Sequence, residues 1–307
     1  MTAEPSETAI VPDTQYRGLV GLLPTPLKPF ALLARFDRPI GWWLLYWPCL
    51  YGLGLSGGLR THWPLALWML LGAIVMRSAG CVYNDIIDRD LDRQVARTAA
   101  RPLAAGVVSL KAAWAFLVGL ALVGLIVLFQ LRLAAQVTAL ASLVLVAAYP
   151  FMKRITWWPQ AWLGLVFSWG APVGWTAVTG QISPTLGLVY AGSIAWVIGY
   201  DTIYALQDRE DDALVGVRSS ARALGGRVRG GVALFYTLAL MLWASALWSV
   251  RPQGLALMAL APAALHLAWQ VFTLKPDDPV DPLAKFRANR FAGFLVAIAM
   301  AVVGSSA

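Results

Sequence analysis

The chain has 307 residues, of which 59% are hydrophobic and only 13% charged, with 15 Trp, a mean hydropathy of +0.66 and a formal net charge of +8. This composition excludes a soluble two-domain protein and, despite a pI of about 9.8, a nucleic-acid binder, because the apolar runs reach the ~20 residues a helix needs to cross a bilayer. Cys49 and Cys81 both lie in apolar runs, which excludes a disulfide framework.

Residues 1–27 read as a polar, disordered tail. Glu4, Glu7 and Asp13 against a single Arg make it a poor match to an Arg-rich mitochondrial presequence, and no cleavable secretory signal is evident. From residue 28 onward one all-α membrane domain is expected. About nine segments qualify as spans: 39–58, 63–83, 110–130, 133–151, 160–179, 184–206, 230–250, 253–273 and 289–305. Helices are expected because a backbone in lipid must satisfy its own hydrogen bonds, and no alternating barrel strands occur.

The charges are one-sided. Arg60, Arg132 and Arg251 stand alone on one side, Arg77 lies inside the second segment, and every other Lys and Arg falls before the first segment or after the second, fourth, sixth and eighth. The positive-inside rule puts that rich side in the cytoplasm. All the acids fall on or near it too, which longer inner loops or a reactive site there would explain.

Two acidic clusters follow the second and sixth segments. In the first, YNDIIDRDLD, Asp85, Asp88 and Asp92 are spaced i, i+3, i+7 and share one helical face, with Asn84 beside it. In the second, YDTIYALQDREDD, the row is Asp201, Asp208 and Asp212. Asp201 lies deepest in the apolar segment and is the costliest to bury. A row of like charges at a membrane edge needs compensation, and oxygen-only donors suit Mg²⁺ rather than zinc. Mg²⁺ shares its shell with waters and phosphate, so two such rows point to a diphosphate. Ordinary solvated helix ends are the plainer reading, weakened by the recurrence of the pattern.

The cations nearby have two readings each. Arg77 could meet a phosphate or an aspartate, or form a structural salt bridge. Arg35 and Arg38 before the first segment, Lys153 and Arg154 after the fourth, and Arg97 and Arg101 after the first cluster could clamp a diphosphate or carboxylate, or serve as flanking anchors. Most of the aromatics suit membrane interfaces; Tyr149, four residues before Lys153, is the best candidate to face a carbocation.

MRSAGCVYNDIIDRDLD, RTAARPLAAG, YPFMKRITWWPQ and YDTIYALQDREDD together resemble the intramembrane aromatic prenyltransferases of the UbiA superfamily, in particular the branch that prenylates 4-hydroxybenzoate for ubiquinone. The resemblance runs over about residues 30–300. It implies nine helices around a central lipid-accessible cavity. It also implies Mg²⁺ and polyprenyl diphosphate held by Asn84, Asp88 and Asp92, with Asp85 close by, and by Asp208 and Asp212. Asp201 matches a buried acid, a further metal contact or the partner of the phenol. Arg77 and Lys153 match diphosphate-side cations, Tyr149 a cation stabiliser, and Arg154 a group for the benzoate carboxylate. Other acceptors, protohaem or naphthoate, share the Asp motifs. An ion-coupled transporter is the rival class, disfavoured because the acids cluster on one face rather than at the midplane. A bacterial inner membrane with a cytoplasm-facing site is expected.

Overall fold

The computed structural model describes residues 19–94, 98–207, 209 and 218–306, and among these every regular element is helical. In chain order they are α1 (Leu19–Leu22), α2 (Lys28–Leu33), α3 (Ile40–Leu55), α4 (Gly58–Thr61), α5 (Pro64–Ile87), α6 (Arg89–Asp92), α7 (Leu110–Leu128), α8 (Leu133–Ile155), α9 (Pro159–Ser168), α10 (Gly170–Thr179), α11 (Pro184–Tyr204), α12 (Ser220–Leu224), α13 (Val228–Val250), α14 (Gly254–Met258), α15 (Ala261–Thr273) and α16 (Asp281–Ser305). Residues 1–18 of the expected tail lie outside the described residues. The remainder of that segment is not a loose tail: α1 and a helical turn at Thr25–Leu27 form there, and Val20 is buried.

Seven of the expected spans are helices long and apolar enough to cross a membrane, with α12 running on into α13 and α14 into α15. The other two differ from a simple 20-residue helix. The first, α3, is 16 residues long and carries Pro48 inside it. The other is divided at Trp169 into α9 and α10 of 10 residues each. The division follows from Pro172, whose missing N–H and bulky ring disfavour a continuous helix past Ser168. α5 extends further than its apolar run predicts, which carries Asn84 and Asp85 inside the helix.

The chain forms two compact units. The first comprises the residues up to Trp42 together with Leu71–Val127. Its core is Leu33, Val82, Leu103, Val108 and Ala113, closed by Phe30 against Phe116 in an edge-on contact at 5.3 Å. This small apolar knot binds α2, the end of α5, the segment after α6 and the start of α7 into one frame.

The second unit comprises Trp43–Leu70 and the chain from Leu128 on. Helices in lipid gain little from hydrophobic attraction and rely on close backbone approach and interhelical hydrogen bonds. Both are seen. A Cβ at Gly174 of α10 would collide with the Cys49 carbonyl of α3, so only glycine permits that crossing. Deeper in the unit, the wholly buried Asn289 of α16 accepts from Trp196 Nε1 of α11 at 2.9 Å and donates to Gln270 Oε1 of α15 at 2.9 Å. Tyr236 of α13 donates to the same Gln270 oxygen at 3.0 Å. Four helices are thus tied by one network, and α11 is the helix that carries Asp201. Asn289→Ala leaves Trp196 and Gln270 short of partners and is expected to cost about 1–3 kcal/mol, read as a lowered thermal unfolding midpoint in detergent.

Candidate active site

α5 ends at Ile87, Asp88 forms a shallow break with ψ near 5°, and α6 carries the chain on to Asp92. The break is slight, because Asp88 N–H still donates to Asn84 and Asp92 N–H to Asp88. Asp85, Asp88 and Asp92 are all buried, while Asp90 is exposed and meets Arg89 and Arg93. The shared face expected for positions 85 and 92 is visible in one cation: Arg101 Nη1 lies 3.2 Å from Asp85 Oδ1 and 2.7 Å from Asp92 Oδ2.

Asp85 has a second partner. Arg35 Nη2 donates to its Oδ1 at 2.7 Å and its Oδ2 at 2.9 Å, across 50 residues of sequence. Arg35 reaches this position from an unusual backbone. It follows the end of α2 at φ 60°, the only positive φ of a non-glycine residue among those described. Its N–H bonds the Leu32 carbonyl and that of Phe36 bonds Ala31, the paired closure that normally places glycine at this position. The left-handed conformation costs an arginine on the order of 1–3 kcal/mol. In return the guanidinium donates to the Leu32 carbonyl at 3.0 Å, capping α2, while it grips Asp85. Burial works against the charge on Arg35, but Asp85, helped by Cys81 and Asp37, outweighs it and holds the guanidinium protonated.

Arg101 is set by the segment that precedes α7. Thr98, buried, donates to the Asp92 carbonyl at 2.9 Å, and Arg93 Nε donates to the Ala104 carbonyl at 3.1 Å. Leu103 anchors the segment in the unit's core. Burial pushes the Asp92 carboxyl above its usual range against the opposing pull of Arg101, while Asp85 and Asp88 push with it. The result is an alternating ladder: Arg35, Asp85, Arg101, Asp92.

The remaining sequence-derived candidates fall as follows. Asn84 is half-buried on α5. Arg77, on the same helix, donates to Cys81 Sγ. A Cβ at Gly41 would sit 2.8 Å from Arg77 Nε, so a glycine at the start of α3 makes room for that guanidinium. Arg38 is held by the buried Asp37 at 3.0 Å, a partner that sequence reasoning passed over. In the second unit Asp201 and Tyr149 are half-buried on α11 and α8, and Arg154 is exposed in the last turn of α8. Lys153 lies in that turn too, its side chain outside the described set. Asp208, Asp212 and Arg97 lie outside the described residues.

The donors at the α5–α6 end are carboxylate and amide oxygens, which suit a hard divalent ion. Among the described residues no three His, Cys, Asp or Glu side chains are grouped so as to hold a metal by themselves. Both oxygens of Asp85, expected close to such a set, accept from guanidinium N–H groups.

A helical membrane chain with buried acid and arginine at the end of one span belongs to the class of intramembrane proteins that handle charge at the bilayer edge. The family profile described as the UbiA prenyltransferase family matches residues 45–298. A mitochondrial 4-hydroxybenzoate polyprenyltransferase of Bos taurus is 43% identical over 91% of this chain and 76% of its own length. Among solved structures, the apo structure of a UbiA homolog from Aeropyrum pernix K1 is similar with a TM-score of 0.66 and 25% identity, over 85% of this chain and 96% of that one. A UbiA homolog from Archaeoglobus fulgidus bound to DMAPP and Mg²⁺ shares the fold, with a TM-score of 0.67 and 16% identity, over 91% of this chain and all of that one. The chain is a member of the UbiA prenyltransferase family and an integral membrane protein.

Arg101→Gln strips a partner from two buried carboxylates at once and is expected to destabilise the protein by about 3 kcal/mol. Asp90→Asn, at an exposed pair, is expected to change stability by less than about 0.5 kcal/mol. Thermal unfolding of the two variants side by side checks both.

Proposed function

We propose that this protein transfers a polyprenyl group from polyprenyl diphosphate to the ring carbon ortho to the hydroxyl of 4-hydroxybenzoate, the prenylation step of ubiquinone biosynthesis. The observation that carries this reading is the 43% identity, over nine-tenths of the chain, to a relative that bears that activity as its name. Residues 28–307 act as one prenyltransferase domain in this reading.

Asn84, Asp88 and Asp92 from α5–α6, with Asp208 and Asp212, would hold Mg²⁺. The likeness to a homolog bound to DMAPP and Mg²⁺ supports the same choice of ion. When bound, Mg²⁺ supplies counter-charge to the diphosphate as it leaves. Arg77, Lys153 and Arg38 bind the diphosphate oxygens and stabilise the negative charge that gathers on them. The allylic C–O bond breaks with its electron pair going to the diphosphate, and Tyr149 faces the allylic carbon that becomes positive. Arg154 pairs with the benzoate carboxylate and turns the ring. Asp201 takes the phenolic proton, which makes the ortho carbon a stronger nucleophile. That carbon forms the new C–C bond, and transfer of its proton to the departed diphosphate restores the aromatic ring. The apolar helices keep water from the allylic cation and accommodate the prenyl chain in one stroke.

Our reading of location is a bacterial inner membrane with the site on the cytoplasmic side, supported by the one-sided Lys and Arg distribution. The Bos taurus relative is mitochondrial. Thiol labelling of single cysteines introduced at Arg89 and Arg251 in intact cells tests the sidedness: Arg251→Cys is expected to react from outside and Arg89→Cys only after permeabilisation.

Membranes incubated with labelled 4-hydroxybenzoate, prenyl diphosphates and Mg²⁺ are expected to form a prenylated acid, and chelation to stop it. Asp88→Ala is expected to lower the rate at least ~10³-fold while the protein stays in the membrane. Normal turnover in that variant would falsify the assignment of Asp88.

A further inference from the structure

We propose that Asp85 is a positioning residue rather than a metal ligand: it is the counter-charge that locks Arg35 and Arg101 into a clamp, and the clamp fixes Asp92 and the Thr98–Ala104 segment against the end of α5. The inference deepens the proposed prenyl transfer and rests on it only for its activity arm.

The geometry leaves Asp85 little to offer an ion. Its side chain is 1% exposed. Arg35 approaches both of its oxygens and Arg101 one of them, all within 3.2 Å. Two guanidinium charges at that range repel a dication from the same carboxylate. Asp92 is attached through Arg101, whose one nitrogen touches both acids. Three separate stretches therefore meet at Asp85: the end of α2, the end of α5 and the segment before α7. The backbone of Arg35 points the same way. The closure of α2 has the hydrogen bonds of a glycine cap, yet an arginine occupies it at φ 60°. A residue kept in a conformation that suits glycine is kept for its side chain, and that side chain ends on Asp85.

In this scheme the first acidic motif is divided by role. Asn84, Asp88 and Asp92 belong to the metal–diphosphate side, and Asp85 supports them from behind. Asp85 works through Arg101 on Asp92, so its loss disturbs the reaction by releasing a neighbour rather than by vacating a coordination position.

The test is a thermal-unfolding cycle on the purified full-length protein in detergent with EDTA, where no metal contributes. Asp85→Asn and Arg35→Gln are each expected to lower Tm by at least about 4 °C, and the double variant to fall by clearly less than their sum, since either change alone breaks the same pair. A metal ligand behaves in the opposite sense: removing it from a metal-free cluster of acids relieves repulsion and raises Tm. An unchanged or higher Tm for Asp85→Asn, or strict additivity with Arg35→Gln, overturns the proposal. If Asp85→Asn does not yield folded protein, Arg35→Gly and Arg35→Lys carry the test. Arg35→Gly is expected to unfold below the wild type although it relieves the backbone, with Arg35→Lys between them; a stabilised Arg35→Gly overturns it. In the activity arm, Asp85→Asn is expected to lower kcat/KM about 10–100-fold through the displaced Asp92, and Arg35→Gln, which leaves every carboxylate in place, to show a loss in the same range; full activity in Arg35→Gln would count against the clamp. A wild type inactive towards 4-hydroxybenzoate would refute the proposed reaction, and the EDTA cycle would still decide for or against the clamp on its own.

Discussion

A carboxylate withdrawn from water at the edge of a bilayer must have its charge answered, and the ladder Arg35–Asp85–Arg101–Asp92 is how this chain answers it. Three acids within two helical turns would repel one another and take up protons if they were left alone. With the guanidiniums interleaved, the acids can stay close and buried, and the end of α5 can present oxygen donors without unravelling. The apolar knot of Leu33, Val82, Leu103 and Val108 holds the ladder's contributing segments in register. Charge compensation and packing are therefore one construction: the core positions the arginines, and the arginines make the acidic helix end tolerable.

The second unit meets the same constraint with neutral groups. Asn289, Gln270, Tyr236 and Trp196 satisfy one another's hydrogen bonds in the interior, where an unmatched polar atom would be expensive. This network fixes α11, and α11 holds Asp201 in a half-buried setting. Rigid supports around acidic groups suit a reaction whose catalysis is mainly electrostatic, because donors and charges already in position need not reorganise as charge develops.

Much of this architecture was legible in the sequence. Long apolar runs mark the spans because lipid requires continuous helix, and the periodicity of 85 and 92 predicted the common face that Arg101 occupies. What was not legible is tertiary or local in origin. The division of α9 from α10 turns on one proline inside an otherwise apolar run, which hydropathy does not register. The extension of α5 past its apolar stretch puts Asp85 inside the helix, with its partners Arg35 and Arg101 drawn from other segments. The pairing of Arg35 with Asp85 spans 50 residues and has no sequence period. The left-handed cap at Arg35 carries no glycine to announce it. Asp37 was overlooked for a similar reason, since RFDR reads as flanking charge until burial is known. Asp208 and Asp212 rest on their sequence motif alone.

The most direct measurement is a structure of the protein with Mn²⁺ and a non-cleavable prenyl thiodiphosphate, the metal located by its anomalous scattering. The expected result is one diphosphate reached through metal by Asp88 on one side and the YDTIYALQDREDD cluster on the other, with Asp85 still bonded to Arg35 and Arg101. Metal coordinated by Asp85, or a diphosphate in contact with only one of the two acidic clusters, would contradict it.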